Sequence, residues 1–169
     1  WKTRRGEDPI IVEWCCHEDS KISATYLNAG GAILRLGLPD YDLGTWQGVE
    51  KAVKVIRGFV ARGRRVFVWA SLPCTPWCPW QRINAKTVLG MLKRLREDRA
   101  YSVAMQGYFL YAMEALDPAW VNFAFEWPRQ CLGWRTNSAQ RIVSRLPIAC
   151  NFDGCQYDLF GRTGKKVLK

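Results

Sequence analysis

The sequence has a single histidine, His17. One imidazole leaves one possible base for Ser/His/Asp hydrolysis, and without a Gly-x-Ser-x-Gly elbow that chemistry is excluded. No apolar run approaches the length of a membrane span, which argues against a membrane partner. The basic start, Trp1-Lys2-Thr3-Arg4-Arg5, leads into Gly6-Glu7-Asp8-Pro9 rather than an apolar core, so it does not read as a signal peptide. Carboxylates are in deficit, 15 against 25 lysines and arginines, for a net charge of +10. There is no internal repeat, low-complexity tract or linker. The absence of an initiator Met predicts a piece of a longer product, a larger polyprotein or complex.

What is present is an apolar, aromatic chain. Of its 169 residues 49% are hydrophobic, enough for one domain with a substantial core and too few for two ordinary ones. The positive balance favours an anionic partner, most simply nucleic acid, over a merely soluble basic protein. Seven cysteines, odd in number and irregular in spacing, argue for a reducing compartment and against a disulfide framework. An intracellular location, nuclear or cytoplasmic, follows as an expectation. Of nine tryptophans, Trp77, Trp80, Trp127 and Trp134 stand outside periodic patterns, beside proline, cysteine or glycine. They are candidates for a base-stacking surface.

Apolar, β-branched runs predict strands over 9–14, 32–38, 66–70, 121–125 and 147–152, with a further one over 165–169. Helices are expected over 21–28, from Thr45 to about Arg62 with Val49, Val53, Ile56 and Val60 on one stripe, over 101–116, and after Ser138 with Ile142, Val143 and Leu146 inward. Residues 154–164 read as turns. Alternating strands and helices give an α/β class with a mostly parallel sheet. Parallel strands would bring three corners to one edge: Glu13 onward, Pro73 to Trp80, and Glu126-Trp127-Pro128. Loops at the carboxyl ends of such strands form the ligand crevice.

Cys74 sits in one of these loops, stiffened by Pro73, Pro76 and Pro79. It is a candidate nucleophile; with Cys78, it also reads as a buried or metal-bound cysteine. A structural zinc could draw on Cys15, Cys16, His17, Cys74, Cys78, Cys131, Cys150 and Cys155, although no tight Cys-x-x-Cys pair is present. The basic passage Lys86, Lys93, Arg94, Arg96 and Arg99 reads equally as a solvated helix face or a phosphate-contacting flank. Glu126 reads as a catalytic carboxyl or an ion-pairing group, and Asp42 as a ligand or a turn residue.

Four motifs, in order, resemble the DNA cytosine-C5 methyltransferases over most of the chain. Ser71-Leu72-Pro73-Cys74-Thr75-Pro76-Trp77 resembles their Pro-Cys motif, with Thr75 in place of the usual glutamine. Phe125-Glu126-Trp127-Pro128 is similar to their Glu-Asn-Val motif. Val12-Glu13-Trp14-Cys15-Cys16 sits where the cofactor-binding Asp-Leu-Phe-Ala-Gly motif would sit, and Asp42-Leu43 resembles the short acidic motif that contacts the cofactor's nucleoside. Arg162 and Lys165 stand where a Gln-x-Arg-x-Arg motif would fall. The resemblance is to a divergent, minimal branch like the methyltransferase segments of retroelement-type polyproteins, one domain over 1–169 without a target-recognition domain.

The resemblance implies a Rossmann-like sheet with helices on both faces, S-adenosylmethionine as cofactor, and methyl transfer to C5 of cytosine in nucleic acid, DNA favoured over RNA. It implies Cys74 as the attacking thiolate and Glu126 as the group holding the base. Glu13, Trp14, Cys15, Cys16, Asp42 and Pro73 would line the cofactor, and Trp77, Trp80, Trp127 and Arg82 the flipped base and its strand. The alternative is a non-catalytic nucleic-acid-binding or ribonucleoprotein subunit on the same fold, with or without a structural zinc.

Overall fold

Four short runs of β-branched and aromatic residues pair side by side, all parallel, in the computed structural model, which describes residues 9–16 and 20–151. They are β1 (Ile10–Trp14), β2 (Ile33–Leu36), β3 (Val66–Ala70) and β4 (Val121–Phe125), in the order β2-β1-β3-β4. Val12 lies opposite Leu34 on one side and Val68 on the other, and Val68 faces Phe123. The helices are α1 (Lys21–Asn28), α2 (Trp46–Ala61), α3 (Gln81–Thr87), α4 (Met91–Ala115) and α5 (Asn137–Val143), with short 3-10 turns at Thr75–Trp77 and Leu132–Arg135.

Side chains alternate across a strand, so Val12 and Trp14 point to one face and Glu13 to the other. The Val12 face carries the core. Val49, Val53 and Ile56 of α2 and Phe109 of α4 are fully buried with it, and the Trp14 and Phe109 rings meet edge to face at 5.6 Å. Helices α2 and α5 both pack on α4, while α1 holds the opposite face through Glu13. Thr45 begins α2 by accepting the Gly48 N–H at 3.2 Å, as a capping hydroxyl does. The α2 stripe is buried as far as Ile56, and Val60 is half-buried.

Four expectations are corrected. Helix α4 starts at Met91, ten residues ahead of the predicted Tyr101. Its leading turns carry charge all round and bury only Leu95, so no apolar stripe announces them, although leucine, lysine, arginine and glutamate all favour helix. Helix α3 has no bounds of its own among the expected helices, although Lys86 belongs to the passage read as a solvated helix face; it is too short to show a period. Val143 is exposed rather than inward. No strand is described over 147–151: these residues are exposed and pair with none of the described strands, and Pro147 has no N–H to offer a ladder. Phe152, the turns over 154–164 and the strand over 165–169 lie outside the described residues, as do His17, Cys155, Arg162 and Lys165.

Candidate functional site

The chain moves from β1 outward to β2, then returns past β1 to lay down β3 and β4 on the other side. The reversal falls between β1 and β3, the place where open α/β sheets bind ligands at the carboxyl ends of their strands. On the β1 side stand Cys15 and Cys16; on the β3 side, Ser71 and the Pro-Cys loop. The Ser71 N–H donates to the Trp14 carbonyl at 3.1 Å, closing the floor between them. The Cys74 and Glu126 corners follow adjacent paired strands, β3 and β4.

The Pro-Cys loop is braced from three sides. The Trp77 indole N–H donates to Ser102 Oγ at 2.8 Å, and Ser102 reaches the Pro73 carbonyl at 3.5 Å. The buried Gln106 continues the seam, donating to Ser102 and accepting from Thr136 Oγ1 at 2.6 Å. Arg99 donates to the Pro76 carbonyl at 3.0 Å and lies over the Trp77 ring at 5.1 Å, so its guanidinium is a brace rather than an open phosphate contact. Trp127 is only 6% exposed; its N–H donates to the Leu72 carbonyl at 2.6 Å, and its ring packs on Phe125 and Trp134. Gly133 lies between Trp127 and Trp77 with no space for a side chain: a Cβ there would fall 2.5 Å from one ring and 2.9 Å from the other.

These packings redistribute the expected stacking surface. Trp127 is interior, Trp134 and Trp77 are half-buried in packing, and Trp80 is 70% exposed. Arg82, the second residue of α3, is also exposed.

The cofactor positions divide in the same way. Glu13 is fully buried, accepting from the hydroxyls of both Ser20 and Ser23, with Arg35 Nε 3.3 Å away. Its carboxylate ties α1 to β1. Trp14 is core. Cys15, Cys16, Asp42 and Pro73 remain at the rim. Cys15 has φ 62, a left-handed backbone that glycine adopts without cost, and this is the corner where the resembled family carries glycine. Asp42 is exposed and accepts the Gly44 N–H at 3.0 Å, an Asx turn that presents a carboxylate at the crevice edge.

Burial pushes the Cys15 thiol up to about 12, with Cys16 and Asp42 adding to it. Cys16 is pushed up to about 11 by burial, then by the charges of Glu13 and Glu126, against the opposing hydrogen bonds of Ser71. Cys131, close to Cys74 and Cys78, is likewise pushed up to about 11, chiefly by burial. All three are protonated at neutral pH and are poor nucleophiles there. Among the described residues, no group of three or more His, Cys, Asp and Glu is arranged to hold a metal ion.

Three rim residues escape the sequence reading. Ser71 accepts the Trp69 indole N–H at 3.2 Å and donates to Glu126 Oε2 at 3.3 Å. Tyr101 lies against Gly44, its hydroxyl titrating above the ordinary range through burial and then the charges of Asp42 and Cys15. Ser102 anchors the Pro-Cys loop. Ser71 stands inside the Pro-Cys motif and was within reach; Tyr101 and Ser102 carry no local signal. No protein-family model, no curated protein and no solved structure matches the chain.

Proposed function

We propose that this protein methylates C5 of cytosine in nucleic acid, DNA in preference to RNA, through a covalent adduct on Cys74. The observation that carries the reading is the adjacency of the Cys74 and Glu126 corners on the carboxyl rim, beside the reversal in strand order. The Cys74 thiolate adds to C6 of the ring, forming the C6–S bond and moving the C5–C6 electron pair onto C5. Glu126 holds N3 and the exocyclic amine and supports the charge that the addition places on the ring. Ser71 donates to Glu126 Oε2 and orients the carboxylate on the rim. Cys15, Cys16, Asp42 and Pro73 would hold S-adenosylmethionine, which would supply the methyl group to C5 and leave as S-adenosylhomocysteine. Loss of the C5 proton to solvent then returns the electron pair to the ring, breaks the C6–S bond and releases Cys74. Cys15, Cys16 and Cys131, held as thiols, do not compete with it.

A 5-fluorocytosine oligonucleotide has no C5 proton to lose, so with S-adenosylmethionine it should remain attached to the protein. A denaturing gel should show the adduct with the parent chain and none with Cys74→Ser. An adduct that persists in Cys74→Ser removes the nucleophile from this scheme.

A second reading, binding without turnover, is favoured by the side chains of Cys15 and Cys16 at the crevice and by Tyr101 folded against Gly44, all of which narrow it. Calorimetry separates the two: heat on titration with S-adenosylmethionine belongs to the enzyme, a flat trace to the binding module.

A further inference from the structure

The segment between the Pro-Cys loop and the body of α4 is unlike the rest of the surface. Helix α3 doubles back onto the first turns of α4 through a tight connection at Gly90, whose φ of 76 suits glycine. Over residues 80–98 only Gln81 and Leu95 are buried. Five large apolar side chains face water: Trp80, Ile83, Val88, Leu92 and, at 103% exposure, Leu89 at the tip. Residues 80–98 add five cations, Arg82, Lys86, Lys93, Arg94 and Arg96, against two carboxylates, Glu97 and Asp98, the second of them 3.9 Å from Arg94. Val88, Leu89 and Leu92 line one surface hollow together with Lys86, and apolar surface exposed in this way marks a binding face. Its charge selects an anionic partner and opposes pairing with a second copy of this basic chain.

The direction of the arm narrows the partner further. Helix α4 enters the body where Arg99 meets Pro76 and Tyr101 meets Gly44, both at the carboxyl rim. The arm therefore stands beside the Cys74 corner, and a polymer lying on the rim would pass it. We infer that the α3–α4 arm binds nucleic acid whose bases are unstacked, a single strand or an unpaired bulge, in preference to intact duplex. The lysines and arginines neutralise backbone phosphates, while Trp80, Leu89 and Leu92 cover base faces that an intact duplex keeps stacked. This deepens the proposed function by naming the form of its polymer, but it rests on the arm's own surface rather than on the chemistry of Cys74.

The test is fluorescence anisotropy with the full chain, without cofactor, on one labelled strand presented singly, in a perfect duplex, and in a duplex with an unpaired bulge. The single strand and the bulge should bind about tenfold tighter than the duplex. Leu89→Ser with Leu92→Ser, both at exposed positions, should remove most of that preference and leave the salt dependence unchanged. Lys86→Ala with Lys93→Ala should weaken every form and lower the slope of log affinity against log salt by about 1.4 on the single strand. Tightest binding to the perfect duplex, or parental affinity in the leucine variant, overturns the inference. So does a leucine variant that keeps its oligonucleotide affinity but loses binding to phosphatidylserine vesicles, which would make the arm a lipid contact. Trapping on the parent chain beside the binding measurement separates the two proposals: strong strand binding with no adduct on the parent chain defeats only the chemistry, and an adduct on the parent chain with a silent arm defeats only the arm.

Discussion

Glu13 shows how far a residue type can mislead when its surroundings are out of sight. An acidic residue at the end of the first strand, inside a cofactor-like motif, reads as a ligand. Its partners Ser20, Ser23 and Arg35 lie 7, 10 and 22 positions further along, and only the fold brings them to it. A buried carboxylate so surrounded is structural. Glu13→Ala should cost about 3 kcal/mol, because the arginine and both hydroxyls lose their acceptor, and urea unfolding would measure it. A stable Glu13→Ala protein that fails to bind S-adenosylmethionine would return Glu13 to the cofactor. Ser71 is the converse case, an unremarked hydroxyl that steers Glu126. Ser71→Ala should slow adduct formation roughly fivefold, about 1 kcal/mol for one half-buried hydrogen bond, with the unfolding midpoint little changed. Ser71→Thr, which keeps the hydroxyl, should restore the rate.

At the scale of elements, the sequence is legible where a side-chain period exists and illegible where it does not. Strands β1, β3 and β4 announce themselves as short apolar, β-branched and aromatic runs, and helix α2 by an apolar residue at every third to fourth position, as facing the core requires. The leading turns of α4 and the whole of α3 have no such obligation, since they project into solvent, and so they leave no pattern. The tryptophans mislead for a related reason: an indole beside proline looks aperiodic whether it is exposed, as Trp80 is, or locked into a seam, as Trp127 is. That seam, joining the loops after β3 and β4, holds Cys74 and Glu126 in register. Gly133→Ala tests it directly, because the added methyl meets Trp127 on one side and Trp77 on the other. It should cost about 1–3 kcal/mol, as overpacking does, seen as a lower melting temperature. Adduct formation should fall as well, because the loop that carries Cys74 shifts with Trp77. A Gly133→Ala protein with parental melting and parental trapping would mean that the two loops are not coupled through this contact.

For the molecule as a whole, the topology was legible in outline because strand, helix and strand in alternation leave a parallel sheet as the economical solution. The strand order was not, since pairing between distant segments has no signature in either one alone. That order puts the reversal point at Cys15 and Cys16, and it also gives the fold a dependence on alkaline pH. The ordinary thiol value is 9.0, and Cys15 is raised to about 12 when folded. Between those values the folded chain holds a proton that the unfolded chain has released, so stability falls as pH rises. The contribution is fully present below pH 9 and is lost on the way to the folded value, at about 1 kcal/mol per pH unit for a thiol this deeply buried. Urea midpoints should therefore be level from pH 7 to 8.5 and decline above about pH 9. Cys15→Gly removes the thiol and suits the left-handed backbone at that position, so it should flatten the decline without straining the corner. Lysines and tyrosines titrate over the same range in both proteins, so the difference between the two curves isolates Cys15. Superimposable curves would mean that the thiol is not buried in solution, and the narrow crevice assigned to the β1 corner would have to be open.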